Sequence, residues 1–261
     1  MMQKTYELAC SFLRSMLPDQ LSESDLNKYF IGDSRDFTSI QDIYERFIYS
    51  AQNYQGMPNV IKYHQRREVI KRILCNFDVV NIQNMEVEKL YQKFRKEFNV
   101  TSKDTKRNSW RKWSFSIIDT AKFISNFKSV DDFRGFVERF NYNRLTRMAL
   151  PLLISTKIRG IGFALACDTL KELGYLSYPK PDVHLIEVFS QIGLSNEHPI
   201  SVFETIVEMA YVCKDIDPES SPYKLDKIIW LICSGKFYLD GINIDGRKME
   251  FIKYLKEELN L

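Results

Sequence analysis

Apolar residues in this chain recur three and four positions apart, and that spacing constrains the fold to helices. Faces with this spacing are formed by Tyr44, Phe47 and Ile48, by Ile70, Ile73 and Leu74, by Phe115, Ile118, Phe123 and Phe127, and by Phe133, Phe136, Val137 and Phe140. No segment alternates over the length of a strand, and 10 Gly and 8 Pro are too few for a loop-rich β-architecture. We predict an all-α protein of about ten to thirteen helices, whose aromatic faces form core rather than binding surface.

Polar side chains predict where some of these helices begin. Three pairs have the spacing of an N-cap and its third helical residue: Ser22 with Asp25, Thr38 with Gln41, and Ser129 with Asp132. The segment 237–251 contains two Asp-Gly pairs between apolar residues and could form a small hairpin.

The cysteines and the N-terminus bear on the cellular compartment. The five cysteines are odd in number, include no C-x-x-C pair and mostly lie in apolar runs, which is typical of free thiols in a reducing compartment. Glu7 and Arg14 interrupt what would be a signal-peptide core, and no run reaches the length of a membrane span. We therefore expect neither secretion nor a membrane partner.

Charge is concentrated in one part of the chain. Residues 101–181 hold 15 Lys and Arg against 7 Asp and Glu, a net +8, whereas the whole chain carries +3 and the remainder −5. A basic stretch of this length is common in soluble proteins. A role in binding a polyanion therefore needs an independent feature in the same segment.

That feature is the stretch 149–174, which reads as a helix, the turn Arg-Gly-Ile-Gly at 159–162, and a second helix closed by Gly174. We expect the isoleucine to tuck under the turn and hold the two helices together. The backbone N–H groups around Gly160 and Gly162, at the start of the second helix, could receive a phosphate. Many helical hairpins use glycine merely to turn, so the stretch alone is weak evidence for DNA binding.

Asp182 follows Gly162 by 20 residues, after a loop with two prolines, and opens an amphipathic helix. The hairpin, this loop and the aspartate together resemble the signature of the HhH-GPD superfamily of base-excision DNA glycosylases. The resemblance runs from about residue 43 to 189 and is most specific over 150–189. The early helix that ends in Ser-Ala-Gln52 and the helix from Trp110 are similar to family segments that precede the hairpin.

The resemblance implies two α-helical lobes with DNA bound at their junction. One lobe would be continuous over about 41–175 and contain the hairpin, and the other would combine 1–40 with 182–261. The implied activity is DNA repair, in which the enzyme flips a damaged or mismatched base out of double-stranded DNA and hydrolyses its N-glycosidic bond. We expect a monomer in the cytoplasm, associated with the nucleoid if the source is bacterial.

Two positions depart from the family pattern. Bifunctional members carry a nucleophilic lysine two residues after the second hairpin glycine, where this chain has Ala164. The resemblance therefore implies a monofunctional glycosylase. Some relatives hold an iron–sulfur cluster on four cysteines, but the C-terminal third has only Cys213 and Cys233. We expect no cofactor and no metal site of protein side chains, and leave open a monovalent or divalent cation at the hairpin.

The resemblance also suggests roles for individual residues. Asp182 is the expected catalytic group, because an oxocarbenium-like sugar needs a nearby ionised carboxylate that positions water, and a helix N-terminus stabilises that charge. Candidate DNA contacts are Lys157, Arg159, Gly160, Gly162, His184, Gln52, Arg111 and Lys112. Candidates for the base pocket or for stacking are Asn53, Trp110 and Trp113. His64 is a further candidate for recognition of the base.

Two other hypotheses stay open at this point. In the first, the chain is a non-catalytic helix-hairpin-helix DNA-binding protein and Asp182 is only a helix cap. In the second, the chain is a glycosylase and lyase that uses a lysine elsewhere. The lesion stays open as well among alkylated purine, oxidised guanine, uracil and mispaired adenine.

Overall fold

Helices dominate the computed structural model, which describes residues 1–32 and 37–261. In chain order the helices are α1 (Met2–Ser15), α2 (Glu23–Phe30), α3 (Ile40–Ala51), α4 (Met57–Ile61), α5 (Tyr63–Ile73), α6 (Val79–Ile82), α7 (Val87–Glu97), α8 (Ser109–Ile124), α9 (Val130–Asn141), α10 (Arg144–Lys157), α11 (Phe163–Glu172), α12 (Val183–Gln191), α13 (Pro199–Val212), α14 (Pro222–Ser234) and α15 (Lys248–Leu259). Short 3₁₀ helices span Cys75–Phe77 and Cys213–Asp215. The all-α prediction is confirmed.

Fifteen α-helices within the described residues exceed the predicted ten to thirteen. The excess includes α4 and α6, which have 5 and 4 residues and are too short to show a helical period. Across the described ranges, no helix is both long enough and apolar enough to span a membrane. All five cysteines are free thiols.

The chain divides into two compact units. Unit 1 comprises Met1–Ser34 with Leu170–Leu261, and unit 2 comprises Arg35–Thr169. The expected lobes had their boundaries at residues 40/41 and 175, so both divisions lie earlier in the chain. Residues 33–36, which the expected 1–40 segment includes, lie outside the described residues.

Unit 2 is organised around α8, which packs against α3, α6 and α7. Asn108 caps this helix by accepting a hydrogen bond from the Trp110 amide at 3.0 Å. Its buried face includes Trp113, Ile117 and Ile124. A long helix that packs against several others is a rigid support, so the side chains on its remaining, partly exposed face are held in fixed positions.

Most aromatic faces predicted as core are core. In unit 2, Tyr44, Phe47, Phe123 and Phe133 are each less than a tenth exposed. Other members of the same faces are only half-buried, namely Phe115, Phe127, Phe136 and Phe140. The helical period gives the direction of a side chain but not the depth at which its helix lies.

Unit 1 has its own core, in which α14 packs against α1, α12 and α13. The buried side chains of α14 include Leu225, Ile228 and Ile232. Contacts from α14 and α15 also fix α12, whose N-terminus carries Asp182.

The predicted helix starts are confirmed at Ser22 and Ser129, where the expected caps are present. The start of α3 is one residue later than predicted, because Ser39 rather than Thr38 is the N-cap and Asp42 closes the capping box.

The predicted hairpin forms in part. Strands β1 (Lys236–Phe237) and β2 (Ile242–Asn243) pair antiparallel around the first Asp-Gly pair. The second Asp-Gly pair, at 245–246, leads into α15 instead.

Candidate functional site

The helix, turn and helix predicted over 149–174 are present as α10, a tight turn and α11. Gly160 has φ +88°, a conformation that favours glycine, and a Cβ there would lie 2.5 Å from Ser116 Oγ. Ser116 Oγ donates a hydrogen bond to the Arg159 carbonyl at 2.6 Å. Ile161 is 1% exposed, as predicted for the residue under the turn. The turn is therefore fixed against α8.

The turn ends at the N-terminus of α11, which begins at Phe163. Gly162 is exposed and has open space around its Cα. The first amides of a helix have no acceptor within the helix and carry partial positive charge. The structure therefore leaves the Gly162 backbone open to solvent at the start of α11, and phosphate binding there stays a prediction.

Arg159 does not present a free charge. Its Nε and Nη2 donate to the two oxygens of Asp119 on α8 at 2.6 and 2.8 Å, and its guanidinium lies 4.1 Å from the Phe115 ring centroid. The prediction of Arg159 as a phosphate contact needs correction, because this bidentate pair neutralises the charge and anchors the turn.

Lys157 and Lys112 are exposed, and neither ammonium forms an ion pair with a described residue. Lys112 lies 5.6 Å from the Tyr54 ring centroid. Lys112, Arg159 and Gly160 line one pocket of about 300 Å³ in unit 2. The structure thus brings three of the predicted DNA contacts together beside the hairpin.

Arg111, which precedes Lys112, faces a different environment. Its guanidinium forms ion pairs with Glu88 and Asp104 and lies 4.3 Å from the Tyr91 ring centroid. Only 21% of the side chain is exposed. The prediction of Arg111 as a DNA contact is therefore not supported, because two carboxylates already compensate its charge.

The two predicted stacking tryptophans are core residues. Trp110 is 1% exposed and Trp113 is fully buried, and their rings pack against Phe94 at 5.2 and 5.5 Å. The Trp113 Nε1–H group donates to the Ile48 carbonyl at 2.8 Å. The prediction that either ring stacks on a base is wrong, because neither has a free face.

Gln52, Asn53 and His64 line one pocket of about 530 Å³ at the end of α3. Gln52 is 3% exposed, and its Nε2 donates to Asn53 Oδ1 at 3.2 Å. Its Oε1 is buried without a hydrogen-bond partner among the described residues. His64 Nε2 is 2.9 Å from the Tyr49 hydroxyl. The Gln52 amide is therefore held beside Asn53 with Oε1 unpaired, and its role as a DNA contact stays a prediction.

Asp182 is the N-cap of α12. Its Oδ1 accepts hydrogen bonds from the His184 and Leu185 amides at 2.9 and 3.2 Å. Its Oδ2 accepts none from the residues that the structure describes. The cap fixes the carboxyl group and leaves one oxygen for another partner.

The surroundings of Asp182 favour its protonated form. Burial raises the pKa of the Asp182 carboxyl, and the charge of Asp226 raises it further. The Leu185 amide, His184 and Lys180 act in the opposite direction. His184 itself has Nδ1 buried without a hydrogen-bond partner among the described residues.

Sequence reasoning missed Asp226 and Lys171 as neighbours of this site. Asp226 Oδ2 lies 2.8 Å from Lys171 Nζ and also accepts the Lys180 amide at 2.8 Å, two residues before Asp182. The side chains of Lys171 and Asp226 are almost fully buried. An acidic residue inside the apolar run of α14 was the available signal, since such a residue seldom lies in a core without a partner.

Comparisons of the chain with protein-family models, with curated proteins and with solved structures gave no match. Within the described ranges, no three His, Cys, Asp or Glu side chains are grouped so as to hold a metal ion.

Proposed function

We propose that this protein is a monofunctional DNA glycosylase that removes a damaged or mismatched base from double-stranded DNA. The observation that carries the proposal is Asp182, whose carboxyl is fixed by one oxygen at the N-terminus of α12 and keeps the other free of described partners. A rigid, partly buried carboxylate is the group that stabilises an oxocarbenium-like sugar.

In the proposed reaction, the bond between C1′ and the base nitrogen breaks and its electron pair leaves with the base. Water adds to C1′, the Asp182 carboxylate accepts its proton, and that proton then passes through solvent to the departing base nitrogen, which regenerates the carboxylate. The products are a free base and an abasic site. The reaction needs the ionised carboxylate, and the pKa of Asp182 is raised. We therefore expect the rate to fall with decreasing pH at a pH above the ordinary pKa range of an aspartate.

The hairpin supports the binding half of the proposal. Exposed Gly162, the N-terminus of α11 and the free ammonium of Lys157 offer contacts to phosphates. Such contacts add affinity without reading sequence. Ala164 at the family's lysine position supports hydrolysis without a Schiff base.

A non-catalytic helix-hairpin-helix DNA-binding protein is the second candidate. The observation in its favour is that Asp182 caps α12 with ordinary geometry, as Asp78 caps α6 through the Val80 and Asn81 amides at 3.0 and 3.3 Å. Asp78 therefore provides a matched control for a purely structural role of Asp182.

The test is base release from duplexes that carry alkylated purine, oxidised guanine, uracil or mispaired adenine. Asp182→Asn keeps a good cap and removes the charge, and we expect it to slow release about 100-fold or more, whereas Asp78→Asn leaves the rate unchanged. If wild type releases no base but binds DNA as tightly as Asp182→Asn, the enzymatic proposal fails and the second candidate stands.

Borohydride trapping tests the third hypothesis, a lyase that uses another lysine. The proposal expects no covalent adduct between protein and DNA. A trapped adduct would contradict the inference from Ala164.

A further inference from the structure

A second pocket in unit 2 has a wall of phenylalanine rings. It has a volume of about 600 Å³ and lies among the C-terminal half of α8, α9 and α10. Its rings are those of Phe123, Phe127 and Phe136. Their centroids are 5.0 to 6.2 Å apart, and each pair is tilted or edge-on rather than stacked. We call it the phenylalanine pocket.

Two of these rings remain partly accessible. Phe127 and Phe136 are half-buried, whereas Phe123 is 9% exposed. The volume falls within the range of about 300–1,000 Å³ that is usual for ligand sites. The pocket can therefore admit a flat, apolar group of moderate size.

The charge at the rim is positive. Lys122 and Lys157 line the pocket, both are exposed, and neither ammonium has a hydrogen bond or ion pair with a described residue. The one carboxylate in the lining, Asp119, accepts three hydrogen bonds from Arg159, from its backbone amide, Nε and Nη2. An occupant that matches this rim carries negative charge beside its flat apolar part.

We propose that the phenylalanine pocket holds one unstacked nucleotide of a bound DNA strand, with its base against the rings of Phe127 and Phe136 and its phosphate at Lys122 and Lys157. Bases stack on aromatic side chains in nucleic-acid-binding proteins, and lysines track the backbone beside them. Lys157 lines this pocket and lies three residues before Gly160, so the pocket rim adjoins the hairpin that we propose to contact phosphates. The inference rests on the proposed DNA-binding function.

The experiment compares two duplexes, one with a single bulged adenine nucleotide and one with a bulged tetrahydrofuran abasic nucleotide. The bulge supplies a nucleotide that is already unstacked. We expect wild type to bind the bulged adenine more tightly, by roughly 5- to 150-fold. Phe127→Leu removes the aromatic ring and should abolish this preference while leaving affinity for the abasic duplex unchanged. Phe127→Tyr keeps the ring and should retain the preference.

The lysines give an independent measurement. Lys122→Ala should weaken binding of both duplexes and reduce the salt slope, d log K/d log[salt], by about 0.9, the value for one phosphate contact. Lys93→Ala is the control, because Lys93 is exposed on α7 outside the pocket. If Phe127→Leu fails to fold, the difference in salt slope between Lys122→Ala and Lys93→Ala decides the proposal.

The outcomes separate this inference from the proposed function. If Phe127→Leu keeps the wild-type preference, or if Lys122→Ala has the same slope as wild type, the pocket does not bind a nucleotide, although DNA binding by the hairpin stands. If wild type binds neither duplex, the proposed function fails, and this inference fails with it.

Discussion

The buried pair of Lys171 and Asp226 allows a sharp test of the structure of unit 1. Lys171 Nζ lies 2.8 Å from Asp226 Oδ2, and the two side chains are 6% and 3% exposed. Asp226 also accepts the Lys180 amide, which leads into Asp182. The informative change is Lys171→Met, because methionine fills a similar volume and leaves Asp226 as a buried carboxylate without its ion-pair partner.

The expected cost follows from this geometry. At 2.8 Å and an effective dielectric constant of about 20, the attraction between the two charges is about 6 kcal/mol, part of which offsets their desolvation. Removal of one partner of such a pair typically costs about 3–5 kcal/mol. With a urea m-value of about 2 kcal/mol per M, the unfolding midpoint should fall by roughly 1.5–2.5 M. Circular dichroism during urea titration measures it.

Two further variants decide the interpretation. Lys171→Met with Asp226→Asn removes both charges and keeps an acceptor for the Lys180 amide, so it should recover most of the lost stability. Arg134→Met breaks an exposed pair with Asp131 and should cost at most about 0.5 kcal/mol. If Lys171→Met costs no more than Arg134→Met, the pair is not desolvated, which contradicts the buried environment of Asp226 beside Asp182.

The other predictions concern the hairpin, Asp182 and the basic surface. Gly160→Ala should destabilise the protein by about 1–3 kcal/mol in urea titration, whereas Gly162→Ala should cost less than about 1 kcal/mol; equal costs would contradict the strained turn. The pKa of Asp182 is higher in the folded protein than in the unfolded chain. The folded protein therefore loses stability as the pH rises from the unfolded-chain pKa through the folded-state pKa. Asp182→Asn should therefore be more stable than wild type at pH 7 but not at pH 3, and a loss of stability at pH 7 would indicate a simple cap. Lys112→Ala should reduce the salt slope of DNA binding by about 0.9, and Arg111→Ala should leave it unchanged; the reverse result would show that the Arg111 ion pairs open on binding.

Features determined by neighbouring residues could be predicted from the sequence. The helix caps at Ser22 and Ser129 depend on side chains three residues apart, and the turn at Gly160 on residues within the same hairpin. The hydrophobic period identified the long helices for the same reason. These interactions are local, so their pattern is written in consecutive residues.

The burial of a side chain and the identity of its tertiary contact partner could not be predicted in the same way. Trp110 and Trp113 lie on a helix rich in basic residues, yet α8 occupies the middle of unit 2 and both rings are buried there. Asp226 lies 55 residues after Lys171 in the chain, and only the packing of α14 brings the two together. A contact of this kind depends on tertiary structure, which a single sequence does not display.

The net charge of residues 101–181 illustrates the same limit for function. Counting charges treats all basic residues alike, but Arg159 is neutralised by Asp119 and Arg111 by Glu88, a carboxylate outside the counted segment. Arginine prefers such bidentate pairs with carboxylates because its donors form a planar fork, whereas lysine has a flexible, strongly hydrated ammonium. Arg111 therefore links α8 to α7 and Arg159 links the hairpin to α8, whereas Lys157 forms no ion pair with a described residue. The segment charge gives only the number of ionised groups, and the pairing within the fold determines which of them are available to a partner.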